Sequence, residues 1–456
     1  MSSKFLISII SLCSTLTSSW AVAHQQVDRI RVGQSEQKKQ IVKKVVQRTR
    51  CRLESVSQEF NPYGIKDFSR FPGLVINVPT IREDARILIR QYQLEQECRE
   101  LGIPIPSFPQ ATFSGKLEDQ LDYKNQYSGL KTSNINLSSV ELDTYVRSNL
   151  WTSGYMSLNY DPSKSTSGSS HIFVDRAFIA IGNLSRFPFY ASIGQVDVPF
   201  GRYKSAMITS PVTQSLGRTQ TRAVTIGYQQ TGNSALHAEM FGYQEPKNLF
   251  PSQNSRRNQW GADIGYEFNT GGRIGSEIGA SLISNLADSQ GMQEAVFSSK
   301  NKTLHHAVQA VDLYGSLSVD PVIFTAEYVR ALKSFDVSDV GFENQGACPT
   351  AFHTEVNYVF HMGSRPGSFG FGYGHTTQAA ILGLPQDRYS IFCNVGIWKD
   401  TNFSLEYRHD VNYPKVVGAA IIVDDCGSKK SIPSSILISG LDKSDNVVTA
   451  RFDLYF

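Results

Sequence analysis

Between Val198 and Arg222 one connector carries Arg202, Lys204, Arg218 and Arg222, bent at Pro199, Gly201, Pro211 and Gly217. Guanidinium groups take carboxylates in paired planar hydrogen bonds, so a basic loop that narrows a channel would grip a carboxylate-rich anion. The same cations could instead pair with acidic side chains of the channel wall and hold the loop in place. Such side chains are at hand. Glu118, Asp122, Glu239, Asp263, Glu267, Glu277, Asp312, Glu355, Glu406 and Asp453 fall on the polar faces of alternating segments, with Lys116, Arg408 and Arg451 among them. This is not the basic ladder of a phosphate-selective pore. Facing a basic loop, it predicts either a transverse field or a set of neutralising pairs.

Other chemistry is thinly represented. His237 with Glu239, and His353 with Glu355, sit two apart and share a strand face, but lack the cysteine or helical histidine spacing of a strong metal site. His305-His306 stands isolated. No G-x-S-x-G stretch and no glycine-rich phosphate loop opens a helix, so the chain reads as a non-enzyme without a cofactor. Of the cysteines, Cys51 with Cys98 and Cys348 with Cys426 are candidate disulfides, leaving Cys393 on a strand; separate thiols are the alternative, and sequence does not fix the connectivity.

The elements that must position these groups have a period of two. From Ala111 onward apolar and polar residues alternate, as in Trp260, Ala262, Ile264, Tyr266 and Phe268 against Gly261, Asp263, Gly265 and Glu267. About sixteen such strands are expected, near residues 111–123, 135–148, 150–160, 171–182, 188–197, 222–230, 234–244, 258–269, 273–285, 306–319, 321–333, 351–361, 367–376, 387–398, 402–410 and 446–456. Odd-to-even links are long and polar, and even-to-odd links are short turns. That parity predicts an all-β transmembrane antiparallel barrel, with long external loops and short periplasmic turns. The Val198–Arg222 connector is then the third external loop, expected to fold inward. The chain ends on Thr449-Ala450-Arg451-Phe452-Asp453-Leu454-Tyr455-Phe456, an alternating strand with a terminal aromatic, which should pair with residues 111–123 and close the barrel.

Residues 1–23 read as a signal peptide: Lys4, the apolar run Phe5–Leu12, and Ala21-Val22-Ala23 before His24. Beyond them no apolar run approaches the roughly 18 residues of a spanning helix. Residues 24–109 read as a small helical periplasmic region, basic between Arg29 and Arg52. Its second helix starts at a Thr80/Glu83 capping box, repeats Ile81, Ala85, Leu88 and Tyr92, and stops at Gly102 and Pro104. A Pro-rich linker follows, and residues 110–456 form the barrel. Whether this region plugs the barrel or hangs below it, and whether the assembly is a monomer or a homo-trimer, stay open. A net charge of +3 gives no reason to expect a nucleic-acid partner; outer-membrane lipid is the expected surroundings.

One block goes beyond architecture: Asp175-Arg176-Ala177-Phe178-Ile179-Ala180-Ile181-Gly182-Asn183-Leu184, Phe187-Pro188-Phe189-Tyr190-Ala191-Ser192-Ile193-Gly194-Gln195, Val198-Pro199-Phe200-Gly201, Ser210-Pro211-Val212-Thr213 and Ser215-Leu216-Gly217-Arg218-Thr219. It resembles the LbtU-type siderophore porins of Gram-negative outer membranes. The resemblance is tight from Asp175 to Thr219 and loose elsewhere. It implies a barrel that takes up a ferric siderophore, an anionic polycarboxylate in the best-known members. Passive diffusion of other small solutes, and a surface structural or adhesive role, are the competing readings. A TonB-coupled receptor would carry a globular plug and about 22 strands, so energy coupling is not expected. No ligand-contacting residue carries over from the resemblance.

Overall fold

An alternating segment is stable where one face meets apolar surroundings and the other meets water, and a strand that leaves an edge unpaired in lipid is not. The chain meets both conditions by closing on itself. The computed structural model describes residues 80–100, 102, 108–126, 130–160, 172–245, 257–269, 274–297, 304–343, 345–362, 365–398, 400–414 and 443–456. Its strands are β1 (Gln110–Asn125), β2 (Lys131–Arg147), β3 (Thr152–Tyr160), β4 (Ile172–Gly182), β5 (Phe189–Asp197), β6 (Gln220–Gln229), β7 (Ser234–Gln244) and β8 (Asn258–Asn269). They continue as β9 (Ile274–Ile283), β10 (Ala310–Val319), β11 (Val322–Ala331), β12 (Thr350–Met362), β13 (Arg365–Thr377), β14 (Asp387–Trp398), β15 (Thr401–Val411) and β16 (Ser444–Tyr455). These sixteen strands form one closed antiparallel barrel in which each pairs with its sequence neighbours and β16 pairs with β1.

The seam joins the two expected segments, with a register that runs from Lys116 opposite Tyr455 to Asn125 opposite Asn446. Gly115 and Phe456 add two backbone hydrogen bonds, of 2.9 and 3.1 Å. The Phe456 ring lies over Gly115, where a Cβ would come within 2.6 Å of it. Only glycine leaves room for the terminal ring.

The faces divide as the alternation requires. Ile264 is 54% exposed on the outer face, with Trp260, Tyr266 and Phe268 beside it, while Asp263 is 2% exposed on the inner face. A slip of one residue would put that carboxylate into hydrocarbon, so the register is strongly fixed.

At the long-loop end, several connectors fold. The β5–β6 loop contains a short helix, α2 (Val212–Gly217), and the β9–β10 loop contains α3 (Gln290–Ala295) after a 3-10 turn at Leu286–Asp288. Leu286, Met292, Phe297 and Leu304 of the second loop join Phe335 and Val340 of the next, and Val212 and Leu216 of α2, in one hydrophobic cluster. These loops share this core with inward strand residues such as Tyr243, Ala310, Val329 and Ala351.

The predicted second helix forms over Glu83–Glu100, here α1. It lies inside the barrel, in contact with inward residues of β2 and of β4 to β7. Its sides are largely polar because the wall it packs against is the polar face of the strands.

Candidate functional site

The β5–β6 loop crosses the lumen and is seated on the far wall by carboxylates that accept its backbone amides. Arg202 N and Tyr203 N donate to Glu327 on β11 at 2.6 and 3.0 Å, and Thr213 Oγ1 donates to the same carboxylate at 3.0 Å. Ala206 N and Ser205 Oγ donate to Glu355 on β12 at 2.9 and 2.7 Å. Thr209 N reaches Glu406 on β15 at 2.8 Å. Gly201 N donates to Ser281 Oγ on β9 at 2.8 Å, and Asn394 on β14 donates to Ala206 O at 2.9 Å. Gly201 has φ +80°, and a Cβ there would run into the Tyr203 ring. That left-handed turn folds the aromatic ring back under the loop.

Arg202 stands at the centre. Its guanidinium donates to Asp263 and Glu277, both at 2.9 Å, contacts His237 Nε2 at 2.8 Å, and lies 4.4 Å from the ring centre of Tyr314. Burial works against its charge, but Asp263, Tyr314 and Glu277 outweigh it and hold the guanidinium above its ordinary range. Lys204 pairs with the other oxygen of Glu277. Arg218 bridges both carboxylate oxygens of Asp197 at 3.1 and 3.0 Å. So the loop cations and the acidic wall form neutralising pairs, the second of the two arrangements the sequence allows.

Arg222 departs from the expectation. It lies not in the loop but in β6, exposed on the outer face opposite Gln195. Strand β6 begins at Gln220, so the small polar Thr221 and Thr225 point inward, and Arg222 shares the outer face with Val224 and Ile226. A long arginine near a strand end can snorkel towards the polar interface.

Helix α1 completes the constriction from the other side. Arg82 pairs with Glu239 and donates to Gln229 Oε1 at 2.7 Å. Glu83 pairs with Arg176 at 2.8 Å, Asp84 takes the hydroxyl of Ser192, Gln91 meets Tyr145, and Glu95 pairs with Arg147. The two residues of the predicted capping box thus both reach the wall, Thr80 through Asp197 and Glu83 through Arg176.

Sequence reasoning gave no role to Glu327, which seats the loop, or to Arg176, which holds Glu83. The period of two that marked their neighbours applies to them equally. His237 and Glu239 do not converge on a common centre: the imidazole contacts Arg202 and Tyr314, and the carboxylate binds Arg82. His353 Nε2 is 3.6 Å from Glu355, whose oxygens are engaged by the loop. Of the candidate disulfides, Cys51 and Cys426 lie outside the described residues; Cys98 is buried on α1, and Cys348 Sγ is 3.1 Å from Ala331 O.

A family profile described as "Protein of unknown function (DUF3573)" matches residues 106–298, from the approach to β1 through the α3 loop. A UPF0422 protein of Coxiella burnetii is 54% identical over the whole of both chains. The chain belongs to the UPF0422 family. A UPF0422 protein of Legionella pneumophila strain Lens is 34% identical over 84% of this chain and 73% of its own. Among solved structures, the outer membrane channel DcaP of Acinetobacter baumannii superposes with a TM-score of 0.50 at 12% identity, over 78% of this chain and 99% of that one. At that identity the likeness is one of fold: this UPF0422 chain is a porin-type barrel.

Proposed function

We propose that the protein is a narrow, substrate-selective channel of the outer membrane, with its short turns and residue 110 on the periplasmic side. The observation that carries this reading is the β5–β6 loop seated across the lumen on Glu327, Glu355 and Glu406, opposite α1. A wide general pore has no use for two elements bound across its bore. Support for a siderophore as cargo comes from the resemblance over Asp175–Thr219, which spans β4, β5 and this loop.

The cargo we infer is a ferric siderophore rich in carboxylates. Arg202 is the structural pin of the loop, with a side chain only 8% exposed. Lys204 and Arg218 keep 23% and 25% exposed, so these two could exchange a wall carboxylate for one on the cargo. A deletion strain should fail to grow on iron-loaded siderophore yet grow normally with abundant free iron. Replacing Lys204 and Arg218 by Gln should slow uptake more in low salt than in high salt, because the attraction is screened. Broad conductance of small ions and sugars without preference for the siderophore would favour a passive porin and overturn the cargo assignment. Loss of cell adhesion on deleting residues 411–445, with uptake intact, would favour a surface role.

A further inference from the structure

We infer that helix α1 is a displaceable plug, held in the lumen by ionic contacts and able to leave without disturbing the barrel; this rests on the channel reading above. Three observations carry it. First, β1 begins at Gln110 and the backbone ladder closes between β1 and β16, so no strand pairing depends on α1. Second, its apolar contacts with the wall fall in two separate patches: Ala85 and Leu88 meet Leu184 and Tyr190 with Ile89 and Tyr92 beside them, while Ile87, and Ile81 just before the helix, touch the main cluster. Its firmest contacts are instead the pairs Arg82–Glu239, Glu83–Arg176 and Glu95–Arg147. Water in an open lumen could solvate both members of each pair, whereas the β5–β6 loop is tied at both ends to the strands that flank it. Third, Arg82 adopts φ +57°, a conformation costly for a non-glycine residue, with its guanidinium anchored to Glu239 and Gln229. Strain at the anchoring turn would be relieved on release.

The geometry gives the plug two latches. Arg82 fixes its beginning near the middle of the barrel. Glu95, which also accepts from Ser185 Oγ at 2.7 Å, fixes its later half at the short-turn end through Arg147. Between them, Leu88 fills the space beside Gly182, where a Cβ would come within 3.0 Å of its methyl.

Conductance of the purified full-length protein in planar bilayers tests this. The native protein should conduct weakly. Glu95→Arg, which sets two cations against each other, should raise the open fraction by about a hundredfold, the scale expected for an unpaired buried charge. The swap Glu95→Arg with Arg147→Glu should close the channel again. In a second arm, Asp84→Cys with Ser192→Cys, oxidised, should hold even the Glu95→Arg protein shut until reductant is added. If native, single and swapped proteins all conduct alike, α1 is a fixed part of the wall and the plug is wrong, while the channel reading stands. If Glu95→Arg opens the channel but neither the swap nor the crosslink closes it, the opening reflects general damage and the plug is again wrong. If correctly folded barrels of every variant, including Arg82→Gln, pass no current, the channel reading itself falls.

Discussion

The guanidinium of Arg202 lies 2.9 Å from the carboxylate of Asp263, across 61 positions of sequence, and ties the β5–β6 loop to β8. Both side chains are buried, 8% and 0% exposed. Replacing Asp263 by Ala leaves Arg202 and Lys204 to share the remaining carboxylate, that of Glu277. The loop should lose about 3–5 kcal/mol of local stability. Hydrogen exchange at residues 200–209 should accelerate accordingly, with the strands unaffected; unchanged protection would mean that the carboxylate amide bonds alone hold the loop.

Closure of the barrel depends on the contact of Gly115 with Phe456. Gly115→Ala should lower the temperature at which the folded form unfolds on a semi-native gel, because the added methyl meets both the Phe456 ring and the Glu141 carbonyl. Deleting Phe456 should impair assembly in cells. Combining the two changes should add less to the deletion than Gly115→Ala costs by itself, since the clash with the ring is gone and only that with the Glu141 carbonyl remains.

The outer face offers a third measurement. Lys placed at Ile264 should destabilise the barrel by about 2–4 kcal/mol if the position is near the membrane midplane. Single cysteines should report the same division: one at Ile264 quenched by lipid-borne probes, one at Asp263 not. Lipid access at Asp263 would reverse the register.

The β9–β10 loop should respond to pH. Burial pushes the Asp288 carboxyl up to about 7, against the opposing hydrogen bond from Tyr243. In the unfolded loop it titrates near its ordinary value of about 3.9. Between those values the folded loop holds a proton that the unfolded loop has released. Its contribution is therefore fully present below about pH 4 and declines up to about pH 7, by as much as ~4 kcal/mol. Exchange rates at residues 284–297, corrected for intrinsic rates, should follow that decline in the native protein. Asp288→Asn should flatten the curve.

The barrel was legible because each strand meets lipid on one side and a polar lumen on the other, which writes a period of two into the sequence. Residues 258–269 and 387–398 are bounded as the alternation predicts, and the C-terminal seam has the expected partners. What remained obscure lies where that two-sided environment ends. Arg222 was counted among the loop cations, at the start of a strand expected over 222–230, because polar Gln220 and Thr221 precede it, yet those residues are already in the ladder. The place of α1 was left open because its many charged residues suit water and a polar wall equally well. The short helix α2 packs on α3 and on the inner faces of β11 to β13, and α3 on other loops, and each is too short to leave a regular spacing to detect. The loop cations were identifiable from composition. Their pairing was not, because it depends on which lumen carboxylates face the incoming loop.

The seat of the β5–β6 loop also constrains the order in which the molecule matures. Thr209 and its acceptor Glu406 are 197 residues apart, and Ser205 and Glu355 are 150 apart. During synthesis the loop is made well before β11, β12 and β15 exist to receive it, and contacts of such long reach form late. The loop therefore waits unseated until those strands arrive, and the seam of Gly115 with Phe456, of longer reach still, closes around it.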